Sequence, residues 1–293
     1  MVVRDEGEAV VCGLRLPPWM KRRNRETEET LALKAWLRRN RIHTVCQSAG
    51  CPNLPECFQK PTVTFIILGN VCTRHCRFCR IEKGTPLPPD FQEPTRIAGA
   101  VKTFRISHAV VTSVTRDDLQ DGGSGHFRRT IHSIRTSTKG VHIEVLVPDF
   151  GGSLDGVQEV MGAGIDVFGH NIETVPRLYP AVRPESDFFR SLEVLKSASM
   201  LSSDVCVKSG LMLGLGETFE EVSDTLSKLL DSGCRAVSIG QYLMPTKNSH
   251  PVREYVSPER FECLRDHALR LGFKRVASGP YVRSSYYAET MMP

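Results

Sequence analysis

The chain has 293 residues, of which 40% are hydrophobic and 24% charged, and this composition is typical of a folded globular protein rather than a disordered, collagenous or membrane-embedded one. Its longest apolar run, 62–68, is far shorter than the roughly 20 residues that span a bilayer, so membrane insertion is not expected. The formal net charge of +5 is mild, and the acidic first residues lack the pattern of a signal peptide, which predicts a cytoplasmic location, or an organellar one if an import segment was removed.

The first feature along the chain is a locally basic segment. Its cations are Lys21, Arg22, Arg23, Arg25, Lys34, Arg38, Arg39 and Arg41. Two interpretations stay open, a solvated helix face and a surface that docks something acidic. Because no interleaved aromatic residues or nucleic-acid-binding module accompany these cations, no nucleic-acid partner is expected.

Ten cysteines in a chain without an export signal favour metal or catalytic chemistry over disulfides. Six of them fall within 46–79. The other four are scattered and are interpreted as packing residues, and they are Cys12, Cys206, Cys234 and Cys263.

Behind the cysteines, short β-branched runs alternate with amphipathic segments, which predicts parallel strands joined by helices. The predicted strands are 62–68, 108–114, 141–147, 166–170, 206–213 and 236–241. The predicted helices are 95–104, 126–137, 154–163, 188–200, 219–232 and 258–271.

Two of these helices have clear boundary signals. Thr218 and Glu221 form a capping box for the fifth helix. In the last helix, Ser257 is suited to the cap and Pro258 to the first turn, and Gly272 ends it. Six such units predict an α/β fold, a partial (β/α)6 TIM-like barrel with functional groups at the carboxyl ends of the strands, although a doubly wound sheet has the same local pattern.

Directly after the first strand, Cys72, Cys76 and Cys79 give the spacing C-x3-C-x2-C in a loop where an active site is expected. Three thiolates would hold three irons of a cubane cluster and leave the fourth iron open to a ligand. The alternative is a structural zinc site, for which His75 is the nearest fourth ligand. The position after a strand and the aromatic Phe78 favour iron and sulfur.

This loop resembles that of the radical S-adenosylmethionine superfamily, whose open iron binds the amino and carboxylate groups of the cofactor's methionine moiety. Upstream, Cys46, Cys51 and Cys57 form a second triplet, C-x4-C-x5-C. With it, the resemblance narrows to the lipoyl synthase family and covers the chain from about Cys46 onward.

The resemblance implies two 4Fe-4S clusters and S-adenosylmethionine as cofactors. Cys72, Cys76 and Cys79 would hold the radical-generating cluster. Cys46, Cys51 and Cys57 would hold an auxiliary cluster, with Ser285 of the R-S-S-Y string as its fourth ligand. Without the triplets, this string would be an ordinary polar tail.

The activity that the resemblance implies is a sulfurtransferase step of lipoate biosynthesis. A 5′-deoxyadenosyl radical would abstract hydrogen, and two sulfurs from the auxiliary cluster would enter carbons 6 and 8 of a protein-bound octanoyl-lysine. The expected partners are an octanoylated lipoyl carrier domain or H protein, an electron donor such as ferredoxin or flavodoxin, and an iron–sulfur cluster carrier.

The resemblance also suggests cofactor contacts by five residues, Phe78, Asn171, Glu173, Gly214 and Gly216. For the two glycines, an ordinary tight turn after a strand is the alternative. Asp117 and Asp118 are interpreted either as loop carboxylates or as cofactor contacts.

The predicted organisation is an N-terminal extension over 1–60 with the auxiliary cysteines, a barrel over 61–272, and a C-terminal segment over 273–293 that supplies the serine. The competing functions are another radical sulfur inserter, such as a biotin synthase or a methylthiotransferase, and a non-enzymatic iron–sulfur or zinc module. The order of the two cysteine triplets argues against another radical sulfur inserter. A non-enzymatic binding module would not need the barrel.

Overall fold

The computed structural model describes residues 15–21, 27–58, 62–286 and 288. Its strands are β1 His43–Thr44, β2 Thr62–Ile67, β3 Val71–Cys72, β4 Glu82–Lys83, β5 His108–Ser113, β6 His142–Leu146, β7 Val167–Gly169, β8 Cys206–Leu213, β9 Ala236–Gln241 and β10 Arg275–Gly279. Its α-helices are α1 Glu28–Arg39, α2 Val45–Ser48, α3 Leu54–Cys57, α4 Glu93–Thr103, α5 Ser124–Ser137, α6 Leu154–Met161, α7 Tyr179–Val182, α8 Phe188–Leu201, α9 Phe219–Asp231 and α10 Pro258–Leu271.

The main sheet has eight strands in the order β1-β2-β5-β6-β7-β8-β9-β10. Among the described strands of this sheet, all neighbours from β2 to β10 are parallel, and β1 alone pairs antiparallel, with β2. Neighbours in the sheet follow chain order, without the reversal that marks a doubly wound sheet. The predicted partial barrel is therefore confirmed, with six strand and helix units from β2 to α10.

The predicted helix boundaries have the expected physical causes. Thr218 accepts from the backbone of Glu221 in a complete capping box, and Ser257 caps α10 by accepting from the backbone of Arg260. Gly272 ends α10 with a φ of 127°, a left-handed backbone that suits glycine. Element ends differ from the predicted ones by at most two residues, which is the usual uncertainty at frayed ends.

Two strands of the sheet were not predicted. β1 has only two residues, too few to give a periodic pattern. β10 lies at the edge of the sheet and is only partly buried, so its sequence lacks the apolar run of a central strand. Both strands border the barrel units and come from the predicted extensions.

A charged group is fully enclosed in the barrel. Lys208 on β8 donates to Glu144 on β6 at 2.9 Å, and a ring nitrogen of His108 lies 3.4 Å from the same carboxylate. All three side chains are buried. Burial raises the pKa of Glu144, but Lys208 and His108 outweigh that effect and hold it below its usual value.

Of the cysteines interpreted as packing residues, Cys206 and Cys234 are buried, as predicted. Cys263 is exposed on α10, so that prediction is wrong for this residue. Cys263 lies on the outer face of α10, whose buried face is formed by Phe261, Leu264 and Ala268. Cys12 lies outside the described residues. No helix in the described part of the chain is long and apolar enough to cross a membrane.

Candidate active site

The loop with Cys72, Cys76 and Cys79 lies at the carboxyl end of β2, after a turn in which Leu68 and Gly69 both have positive φ. Burial raises the pKa of the Cys76 thiol to about 11, against the effect of Arg183 and with the help of Cys79 and Cys72. The three thiols therefore lie near one another in a site that disfavours bare thiolates. Cationic iron would offset that cost, so the donor set fits a cluster.

No three His, Cys, Asp or Glu side chains in the described ranges converge closely enough to hold a single metal ion. A cubane takes each thiolate on a different iron and so spreads its ligands further apart than one ion does.

Arg74, inside the cysteine loop, is clamped by two carboxylates. Its guanidinium donates to Asp117 at 2.8 Å and to Asp149 at 2.7 and 3.0 Å. Arg74 and Asp149 are both buried. The clamp ties the cluster loop to the loops that follow β5 and β6. Asp118 pairs instead with Arg116, so each of the two loop carboxylates pairs with an arginine side chain.

Polar side chains that follow β7 lie near the loop 72–79, since Arg183 and Glu173 both act on the Cys76 thiol. Asn171 donates to Glu173 at 3.0 Å, and Glu173 adopts a positive φ of 65°. Burial raises the pKa of Glu173 even though Arg183 opposes the shift. Arg183 donates to the backbone oxygens of Asn171 and Ile172, each at 3.1 Å. Its buried Nε has no hydrogen-bond partner among the described residues, which leaves a donor for a ligand.

Gly214 and Gly216 allow the backbone conformation and the close packing of the loop that follows β8. Gly214 has a φ of 93°, and a Cβ there would lie 2.3 Å from both the Gln241 side chain and a backbone oxygen of Glu254. The Glu217 carboxylate accepts from the Gly214 backbone at 2.6 Å. Gly216 also has a positive φ, and Phe78 is partly buried against the core. A cofactor contact by these residues stays a prediction.

The second cysteine set lies on the short helices α2 and α3 and the turn between them. Burial, with the neighbouring Cys51 and Cys57, raises the pKa of the Cys46 thiol above its usual value, while a backbone hydrogen bond from Thr64 opposes the shift. The three thiols therefore converge beside β2. Thr64 also donates its hydroxyl to Ser285 at 2.8 Å, which brings the predicted serine to the same place.

The C-terminal segment is anchored on both sides of this set. Asn53 donates to the backbone oxygen of Tyr281 at 2.7 Å, and the Tyr286 hydroxyl lies 3.2 Å from the Glu56 carboxylate. The segment crosses β9 so closely that a Cβ on Gly240 would lie 2.1 Å from the Val282 backbone oxygen. Gly240 is thus required by the approach of another backbone.

Neighbouring residues connect the two cysteine sets. Ser284 accepts from Asn171 at 2.5 Å, while Ser285 accepts from Thr64. Arg80, the residue after Cys79, lies against Gly50 of the other cysteine loop, where a Cβ would meet its Nη1 at 2.2 Å. The structure therefore brings all seven predicted cluster ligands to two adjacent positions at one end of the barrel.

Sequence reasoning assigned no role to several residues of this site. They are Thr64, Arg74, Arg80, Arg183 and Arg283, the last of which is buried beside Cys51. The signal for Arg74 was present, since an arginine between cluster cysteines needs a partner, but its two carboxylates lie 43 and 75 residues away.

The fold and the thiol-bearing loop define a radical S-adenosylmethionine enzyme. The model of the Radical SAM superfamily matches residues 66–254. Among solved structures, a methylornithine synthase aligns over 86% of this chain and 79% of its own, with a TM-score of 0.55 and 15% identity. The hydrogenase maturase HydG from Carboxydothermus hydrogenoformans covers 86% and 64%, with a TM-score of 0.55 and 18% identity. At these identities, the likeness concerns the fold.

Curated relatives define the family more narrowly. A lipoyl synthase from Caldanaerobacter subterraneus subsp. tengcongensis is 50% identical over 94% of this chain and 96% of its own. Lipoyl synthases from Chlorobium limicola and Nitrosococcus oceani are 51% and 50% identical, over 93% and 94% of this chain and 94% and 85% of theirs. The chain belongs to the lipoyl synthase family, and the predicted radical sulfurtransferase activity with its S-adenosylmethionine and 4Fe-4S cofactors is confirmed.

Proposed function

We propose that the chain inserts sulfur at carbons 6 and 8 of an octanoyl-lysine on a lipoyl carrier domain or H protein, with a division of labour between its two cysteine sets. The observation that carries this proposal is the position of Ser284 and Ser285. One serine contacts the Asn171 side of the barrel, and the other contacts Thr64 beside the second set. A substrate carbon at this junction would be within reach of both sites.

Cys72, Cys76 and Cys79 would hold the radical-generating cluster, and Cys46, Cys51, Cys57 and Ser285 the auxiliary one. When bound, S-adenosylmethionine supplies the radical that abstracts hydrogen, and the auxiliary cluster supplies the sulfur. Arg183 presents a buried cation that would neutralise the cofactor's carboxylate. Asn171 and Glu173 offer polar groups for its hydroxyl or amino groups, and Phe78, Gly214 and Gly216 complete the proposed contacts.

Burial keeps water from the reacting carbons, which matters because a radical would otherwise react with whatever it meets first. The proposed organisation keeps 1–60 as the auxiliary extension, 61–272 as the barrel and 273–293 as the segment that supplies Ser285. The proposal includes an electron donor such as ferredoxin or flavodoxin, an iron–sulfur cluster carrier and a cytoplasmic location, a reducing compartment that suits a chain with ten cysteines.

The test is mass spectrometry of an octanoyl-lysine peptide incubated anaerobically with the reconstituted protein, reductant and S-adenosylmethionine. We expect a product with two added sulfurs and about eight irons per chain before the reaction. Ser285→Ala should release 5′-deoxyadenosine but form little thiolated product, whereas Ser203→Ala, on an exposed loop, should behave as the parent. Unimpaired sulfur insertion by Ser285→Ala would refute the role of this serine.

A further inference from the structure

The turn that leads from β2 into the cysteine loop has an unfavourable backbone conformation. Leu68 has a φ of 66°, in the left-handed region that residues with a bulky side chain rarely adopt. Its side chain is buried and occupies the space that Gly123 leaves open, since an added Cβ there would lie 2.3 Å from Cδ1 of Leu68. Such a conformation persists only where the surrounding structure holds it.

Both backbone groups of Leu68 have buried side-chain partners. Its N–H donates to Oε2 of Glu93 at 2.8 Å, and its carbonyl oxygen accepts from Arg116 at 3.2 Å. Glu93 lies in the first turn of α4, and Arg116 lies in the loop that follows β5. Glu93 is 4% and Arg116 1% exposed. Two elements outside the cysteine loop therefore hold the turn in place.

Glu93 is itself held by His126 on α5. Nε2 of His126 lies 2.8 Å from the same carboxylate oxygen that accepts from Leu68. Because a carboxylate oxygen accepts, Nε2 is the donor of the ring in this contact. Both side chains are buried. Loss of the carboxylate would therefore leave two buried donors without their acceptor, which costs more than the hydrogen bonds themselves contribute.

This inference rests on the proposed function, in which the three cysteines of 72–79 hold the radical-generating cluster. We propose that Glu93 and His126 are positioning residues for that cluster, which act through the Leu68 turn. The turn sets the direction in which the chain leaves β2, and Cys72 follows it by only four residues. A change in this direction would move the cysteines relative to the polar groups after β7 that are proposed to hold S-adenosylmethionine.

The experiment compares Glu93→Ala with Glu93→Gln and with a matched control, Asp166→Ala. Glutamine keeps an oxygen where the two donors meet, whereas alanine removes it. Asp166 is a partly buried carboxylate just before β7, at the opposite end of the sheet. Its Oδ2 likewise accepts from a backbone N–H, that of Ile143, and from a side chain, that of Arg135, each at 2.7 Å.

Two measurements separate the turn from the cluster. Hydrogen–deuterium exchange of the metal-free full chain reports on the turn itself. Iron content and the KM and kcat of S-adenosylmethionine cleavage by the reconstituted protein report on the radical site.

In Glu93→Ala, we expect the amides of 66–72 to exchange roughly tenfold faster, and the KM for S-adenosylmethionine to rise roughly tenfold. The iron content should stay at about eight per chain, because the cysteines remain. Glu93→Gln should restore most of the parent behaviour. Asp166→Ala should speed exchange near Ile143 and leave the KM unchanged, because a general loss of stability lowers the amount of active protein and not its affinity.

Unchanged exchange over 66–72 in Glu93→Ala would overturn the proposal, and so would an equal rise of the KM in Asp166→Ala. If circular dichroism shows that Glu93→Ala does not fold, His126→Leu is measured in the same way. It keeps the carboxylate and removes the second donor, so a parent KM in this variant would also overturn the proposal. A parent protein that cleaves no S-adenosylmethionine would instead refute the proposed function, and the exchange measurement would be unaffected.

Discussion

The clamp around Arg74 shows how single residues fix the position of the cysteine loop 72–79. A buried guanidinium held by two carboxylates from different loops leaves the cysteine loop few alternatives in position. Burial raises the pKa of Asp149, but its hydrogen bonds to Arg74 and the charge of Arg74 outweigh that effect and lower it to about 2. The carboxylate is therefore ionised at any pH at which the enzyme would work.

The lowered pKa of Asp149 predicts an acid-sensitive contribution to folding. A carboxyl with a depressed folded-state pKa contributes stability above its ordinary value of 3.8, and this is lost as pH falls toward about 2. In urea titrations of the metal-free protein between pH 5 and 2, Asp149→Asn should lose less stability than the parent over this window. Asp155→Asn, at an exposed carboxylate, is the control. Parallel curves for Asp149→Asn and the parent would contradict the prediction.

The enclosed pair of Lys208 and Glu144 allows a second test at this scale. Lys208→Met leaves the Glu144 carboxylate buried with only His108 nearby, so it should lower the free energy of unfolding by about 3–5 kcal/mol. Replacing both partners, as Lys208→Met with Glu144→Leu, should recover most of that loss because no uncompensated charge remains. The measurement is urea denaturation, and a double variant no more stable than Lys208→Met would be the contrary result.

Among the elements, the C-terminal segment has the largest influence on the second cysteine set. It crosses β9 at Gly240, and its serines contact residues on β2 and after β7. The proposed auxiliary site is therefore assembled from elements far apart in sequence, whereas the cysteines of the proposed radical site all lie within 72–79.

Gly240→Val tests this dependence. A side chain at this position would collide with the Val282 backbone and displace the segment that carries Ser285. After anaerobic reconstitution, we expect the iron content to fall from about eight to about four per chain. Gly99→Ala is the control, since a Cβ there meets nothing within 4 Å and alanine suits a helix interior. An unchanged iron content in Gly240→Val would show that the segment is not needed.

Sequence reasoning worked best where one element contains the whole signal. The six buried strands and the caps of α9 and α10 depend on local periodicity and local hydrogen bonds, so the sequence was sufficient. Sequence reasoning failed for β1 and β10, because these short strands form by pairing with the edge strands β2 and β9 and have no strong pattern of their own. The partners of Arg74 and Arg183 were also hidden, because pairings between distant loops leave no spacing rule in the chain.

For the whole molecule, the fold places the proposed radical site and the proposed sulfur-donating site on different parts of the chain. The barrel supplies the loop 72–79 and the polar group around Asn171, and the two extensions supply the second set and its serine. Each function should therefore be removable on its own.

A chain that ends after Gly279 tests this separation, because it retains β10 and loses the serines. We expect it to cleave S-adenosylmethionine to 5′-deoxyadenosine under reducing conditions and to form no thiolated peptide. Liquid chromatography of the nucleoside and mass spectrometry of the peptide measure the two reactions. Circular dichroism confirms that the shortened chain folds, and thiolated product from a folded shortened chain would contradict the prediction.

The pairing of Thr64 with Ser285 across 221 residues also has a consequence for the order in which the enzyme matures. On a ribosome, both cysteine sets and β2 emerge early, and domains can fold as they emerge. The serine emerges only after every strand of the sheet. The proposed auxiliary site can therefore gain its serine only after translation has passed Ser285.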